Sequence, residues 1–149
     1  MYPALLNTHS IIRFVVIIAS TLSVLLAFAG WFGNKDYTKG NKVLNLLTLI
    51  SAHIQLLVGL ALYFVSPLVM TQNMGAAMKD STLRYWTVEH ISMMIVAIVL
   101  ITVGYSKSKR ALAPVEKHRL IAVFYTLAII VVLIALSMSG RGIFNMTGA

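Results

Sequence analysis

An all-α integral membrane fold, four helices crossing the bilayer as an up-down bundle, is what the sequence predicts, and three observations predict it. The chain is far more apolar than a soluble domain: 59% of its 149 residues are hydrophobic and 11% charged, with a mean hydropathy of +0.88. Four long apolar stretches, at 11–32, 43–66, 85–105 and 120–138, each approach the ~20 residues that carry a helix across ~30 Å of hydrocarbon. The connections between them are short, which makes successive helices antiparallel neighbours.

Taken in order, the first helix is expected over 7–32, ended by the turn pair Gly33-Asn34. Ala27-Phe28-Ala29 imitates a signal-peptide cleavage site, but no basic residue precedes the apolar run, so the segment is expected to stay as a spanning helix. The second helix covers 41–66, with Pro67 marking a bend or an end. The segment LVMTQNMGAAMKD, 68–80, then leads to a third helix over 83–106. Pro114 suits the first turn of a fourth, over 114–139. With no repeat, low-complexity segment or extramembrane domain, residues 1–149 read as a single transmembrane domain.

Lysine and arginine set the orientation. Lys35, Lys39 and Lys42 lie around the first connection, and Lys107, Lys109, Arg110, Lys117 and Arg119 around the third; the opposite side carries Lys79, Arg84 and Arg141. The positive-inside bias places the two basic loops in the cytoplasm and both termini on the outer, periplasmic side of a bacterial inner membrane. The net charge of +8 is accordingly a topology signal beside anionic headgroups, and no nucleic-acid partner is expected.

The chain has no cysteine, which excludes disulfides, thiolate-held iron–sulfur clusters and covalent c-type haem attachment. Phosphate-binding glycine loops and the H-E-x-x-H zinc motif are also missing. Chemistry must therefore lie within the helices or at their rims. Ionisable groups inside spanning segments are costly and mark a functional site by default. Four regions qualify: His9 with Arg13, His53 with Gln55, Glu89 with His90, and His118.

At ~1.5 Å per residue, His53 falls near the midplane and His90 somewhat to the outer side. His9 falls at the outer rim, with Arg13 one turn deeper and level with His90. His118, between Lys117 and Arg119, is expected among the headgroups at the cytoplasmic rim. Two imidazoles on neighbouring helices, with a third at the rim and an arginine at matching depth, suit haem b: iron takes neutral imidazole from two helices, and propionates need cationic partners such as Arg13 and His9. The competing reading is a structural polar cluster hydrogen-bonded across the bundle.

HSIIR opening the first helix, HIQLLVGLALYF in the second and EHISMM in the third together resemble short four-helix bacterial membrane proteins described as cytochrome b-like, over most of the chain from His9 to about Arg110. That resemblance implies a non-covalent haem b and gives weight to His9, Arg13, His53, Gln55, Glu89 and His90. A more distant similarity, to the four-helix halves of haem A synthases and to cytochrome b561 proteins, implies histidines clasping haem from alternate helices, His9 with His90. Depth favours His53 with His90 instead. His90 is common to both pairs and ranks first as an iron ligand, His53 second and His9 third.

Glu89 is about 100° around the helix from His90. It is a candidate to orient a ligand ring or accept a proton beside a quinone, or else it pairs with Arg13 or Arg84. Gln55 shares a helical face with Ser51 and Gly59, as a close-packing seam would. A rival reading comes from methionine: Met70, Met74 and Met78 recur every four residues and Met93 and Met94 follow His90, and thioethers suit Cu(I). Copper handling or cofactor insertion is the alternative to a b-type cytochrome, and a cofactor-free packing subunit of a larger membrane complex is a third. Candidate partners are the bilayer, a quinone or periplasmic electron-transfer protein, and further subunits or copies.

Overall fold

A computed structural model of the chain describes residues 1–140. Among them are four long helices and two short ones: α1 (Tyr2–Phe32), α2 (Lys39–Val65), α3 (Met74–Lys79), α4 (Ser81–Arg84), α5 (His90–Arg110) and α6 (Pro114–Met138). A π turn, Tyr85–Glu89, joins α4 to α5, so that Ser81–Arg110 is one continuous span. All four long spans are long and apolar enough to cross a membrane.

Local sequence explains the ends. Pro3 lies in the first turn of α1, where no intrahelical N–H is needed. Asn34, at φ 48°, takes the left-handed step after Gly33, a conformation asparagine tolerates better than most residues. Thr38 and Asn41 form a reciprocal capping box at the start of α2. Asn73 caps α3, and Asp80 caps α4 through Leu83 N–H at 2.9 Å. Helix one starts five residues before the expected 7, with Pro3 in its first turn and no side-chain cap, and the third long span runs from 81 to 110, its start capped by Asp80 and its last turn carrying Lys107, Lys109 and Arg110, which suit the negative end of the helix dipole.

α1 packs on α2 and α6, and α5 packs on α6 and α2, which leaves α1 facing α5 across the bundle. The interior is built from small residues. Ser20, Ser23, Ala27 and Gly30 line it on α1, Ser51 and Ala52 on α2, Ala97 and Gly104 on α5, and Ala122, Ala128 and Ala135 on α6. Leu22, Leu25, Leu57, Ile130 and Leu133 point outward. In lipid, where burying a leucine gains little, helices associate by close backbone approach, and small residues at the seam permit it.

Polar bonds tie the seam. Ser23 and Thr48 hydroxyls meet at 3.1 Å, and the buried Tyr125 hydroxyl donates to the Asn45 carbonyl at 2.8 Å. Asn45 Nδ2 in turn donates to the Tyr37 hydroxyl at 2.9 Å.

Candidate functional site

His9 on α1 and His90 at the start of α5 come together: their ring centres lie 6.4 Å apart with planes at 68°. They approach across the bundle, from helices that do not neighbour each other. His9's ring rests on Gly59 of α2, where an added Cβ would meet its Cε1 at 3.2 Å. Gln55, one turn earlier on α2, donates from Nε2 to the His9 backbone carbonyl at 2.9 Å. Gly59 and Gln55 are thus the α2 residues that hold this part of α1. His9 Nδ1 and Gln55 Oε1 are both buried with no hydrogen-bond partner among the described residues. Buried polar atoms in this condition are uncommon in folded proteins.

The π turn builds the His90 side. His90 N–H bonds to the Tyr85 carbonyl, five residues back, and this wider turn brings residues five apart toward one face; in an α-helix they would be about 140° apart. The Tyr85 hydroxyl consequently lies 3.3 Å from His90 Nδ1 while donating to the Ala135 carbonyl of α6 at 2.6 Å. Trp86 flanks the same ring, 5.2 Å between centres. Further bonds anchor the turn: Tyr63 of α2 donates to the Thr87 carbonyl at 2.7 Å, and Met70 N–H donates to Thr87 Oγ1 at 3.0 Å. π turns cluster at functional sites because they re-aim side chains at the cost of a weaker ladder.

The remaining candidates are placed as follows. Arg13 is half-buried one turn along α1 from His9, with its guanidinium over Phe14 at 5.2 Å. Glu89 forms an ion pair with Arg84, Nε to Oε1 at 2.7 Å, one of the two pairings weighed from the sequence. His53 is not brought to His9 and His90. It is exposed on the lateral surface, with Nδ1 2.8 Å from the carbonyl of Leu49 and Nε2 3.5 Å from Thr102 Oγ1. His9, expected at the outer rim, is the α1 residue whose ring meets His90.

His118 departs from expectation most sharply. It is 2% exposed instead of lying among headgroups. Its Nε2 is 3.0 Å from the Asp36 carbonyl, and its ring stacks edge-on to Tyr37. An added Cβ on Gly30 would lie 2.5 Å from its ring. A glycine at that point on α1 and a backbone acceptor in the following loop make the imidazole a structural tie between α6 and the α1–α2 connection.

The methionine series divides. Met74 and Met78 lie exposed on α3, whereas Met70 precedes that helix and is tied by its backbone to Thr87, so the three do not form one helical stripe. Among the described residues no group of three or more histidine, aspartate or glutamate side chains is placed to hold a metal ion.

Tyr85 and Trp86 are site residues that sequence reasoning missed. Tyr85 stands five positions before His90, a spacing that α-helical periodicity assigns to a different face. The aromatic pair five and four positions ahead of a candidate ligand was the available signal. This chain matches no protein-family model, no curated protein and no solved structure.

Proposed function

We propose that this is a b-type cytochrome-like protein of the bacterial inner membrane that holds one non-covalent haem b between His9 and His90 and passes single electrons. The carrying observation is the 6.4 Å separation of the two imidazole centres. Two ring nitrogens each about 2 Å from one metal, with about 1 Å more to each ring centre, give about 6 Å. The pair also comes from α1 and α5, helices facing each other across the bundle. Two imidazoles from facing helices are what a flat group ligated from both sides would require. Buried, unpartnered His9 Nδ1 and Gln55 Oε1 support a ligand at the same place.

On this reading the haem supplies a one-electron couple. His9 and His90 would hold it, and Arg13 would offer its guanidinium to a propionate. The ion pair with Arg84 assigns Glu89 a structural part at the π turn. Lipid, a quinone or a periplasmic donor, and further copies or subunits are the proposed surroundings. The helices run up-down, with both termini outward, as the basic loops require.

Protein purified in detergent from haem-replete cells should show a Soret band with α and β bands that sharpen on dithionite reduction, and about one iron per chain by metal analysis. A colourless, iron-free preparation overturns the cytochrome reading, and stoichiometric copper in its place promotes the methionine alternative. Orientation has its own check: a reporter fused at Lys109 should behave as cytoplasmic and one fused after Ala149 as periplasmic. The reverse result would put the proposed site on the wrong face.

A further inference from the structure

Two hydrogen-bond distances at the π turn differ enough to fix a proton. The Tyr85 hydroxyl has one hydrogen, and its neighbours include the Ala135 carbonyl at 2.6 Å and His90 Nδ1 at 3.3 Å. A carbonyl can only accept. The short, buried contact therefore takes the hydroxyl hydrogen, and the lone pairs of the same oxygen face the histidine. A nitrogen in contact with those lone pairs is satisfied only if it carries a hydrogen itself.

We propose that Tyr85 is the positioning residue of the His90 site: its hydroxyl, held as a donor to Ala135, accepts from His90 Nδ1–H and fixes the neutral tautomer whose lone pair is on Nε2. This rests on the proposed role of His90 as an iron ligand only for its purpose; the tautomer itself is a property of the chain. Metal-binding histidines are oriented in this way, with the non-ligating nitrogen donating to a neighbouring acceptor, which also raises the basicity of the ligating one. The π turn is the structural cause. Its i to i−5 bond joins His90 N–H to the carbonyl of Tyr85, so the same two residues are tied through both backbone and side chains. The chain of bonds continues into α6, so the orientation of a ring on α5 is set by a carbonyl three residues from the end of the neighbouring helix, Met138.

The test begins on the protein without added metal or haem. With 15N-labelled histidine, in detergent at a pH where imidazole is neutral, long-range 1H–15N spectra distinguish a protonated from a bare ring nitrogen, and loss of a signal in His90→Gln assigns His90. The expected result is a single Nδ1–H tautomer for His90 in the wild type and a shift toward a mixture of tautomers in Tyr85→Phe. Tyr63→Phe removes a different hydroxyl from the same turn, its bond to the Thr87 carbonyl, and should leave the His90 tautomer unchanged.

A wild-type His90 protonated on Nε2 overturns the proposal, whether or not Tyr85→Phe folds. So does an unchanged tautomer in Tyr85→Phe, or an equal change in Tyr63→Phe. In haem-loaded protein Tyr85→Phe should raise the midpoint potential, because a less basic imidazole stabilises ferric iron less. Failure to bind haem at all would defeat the cytochrome reading and leave the nuclear magnetic resonance result standing.

Discussion

Replacing His90 with alanine is expected to abolish haem retention, and His9→Ala is expected to do the same. On the proposed reading each removes one of the two imidazoles that would hold the haem, and disturbing even a residue behind a metal ligand typically costs 10–100-fold in affinity; loss of the ligand itself should cost at least that. His53→Ala should retain a six-coordinate low-spin spectrum, because that ring lies exposed on the lateral surface beside Leu49 and Thr102. Arg13→Ala should also keep the spectrum but lower the midpoint potential, since an unneutralised propionate favours the more positive, oxidised iron. The measurements are pyridine haemochrome content and the low-spin absorption bands. If His53→Ala loses those bands while His9→Ala keeps them, the ligand pair is His53 with His90, as depth alone suggested, and the His9 geometry is unrelated to haem.

Gly104→Ala should be the most damaging single methyl group in the bundle. An added Cβ at Gly104 would lie 2.4 Å from Phe124 Cβ and 3.1 Å from its Cγ. A Cβ moves only with its backbone, so no rotamer change relieves the contact, and α5 and α6 must separate. Overpacking of this kind costs about 1–3 kcal/mol or more, which should appear as a marked fall in the thermal unfolding midpoint in detergent. Gly40→Ala is the matched control. Its nearest neighbour would be Thr38 Oγ1 at 3.6 Å, ordinary contact at a helix start, and the gain in helix propensity should leave stability unchanged or slightly improved. Equal stability for wild type and Gly104→Ala would mean that α5 and α6 do not approach this closely.

Both outcomes turn on contacts of differing legibility in the sequence. The spacing of Ser20, Ser23, Ala27 and Gly30 is a readable small-residue seam on α1, and the buried state of these residues follows from it. Which large side chain each glycine admits is not readable, because that depends on the register of a second helix: Gly30 meets His118 and Gly104 meets Phe124, 88 and 20 residues away. The same holds for histidine. Depth along a helix follows from counting residues, so His53 was placed near the midplane, but depth says nothing of whether a ring faces the interior. His118 was read from its charged neighbours Lys117 and Arg119 as a rim residue, whereas helix rotation buries it against Gly30.

By itself the sequence determined that this chain forms four long apolar helices, where they begin and end to within a few residues, and which residue types are available for chemistry. Composition, apolar run length, capping residues and the absence of cysteine are local properties, and each is decided by the chain against its solvent. Tertiary structure alone decided which of those residues meet. His9 reaches His90 only because α1 and α5 face each other across the bundle. Tyr85 reaches His90 only because one turn widens to an i to i−5 bond, stabilised by Tyr63 from α2 and Ala135 from α6. A π turn forfeits helical hydrogen-bond geometry and persists where bonds from neighbouring elements offset that loss; no periodicity within residues 81–110 could have announced it.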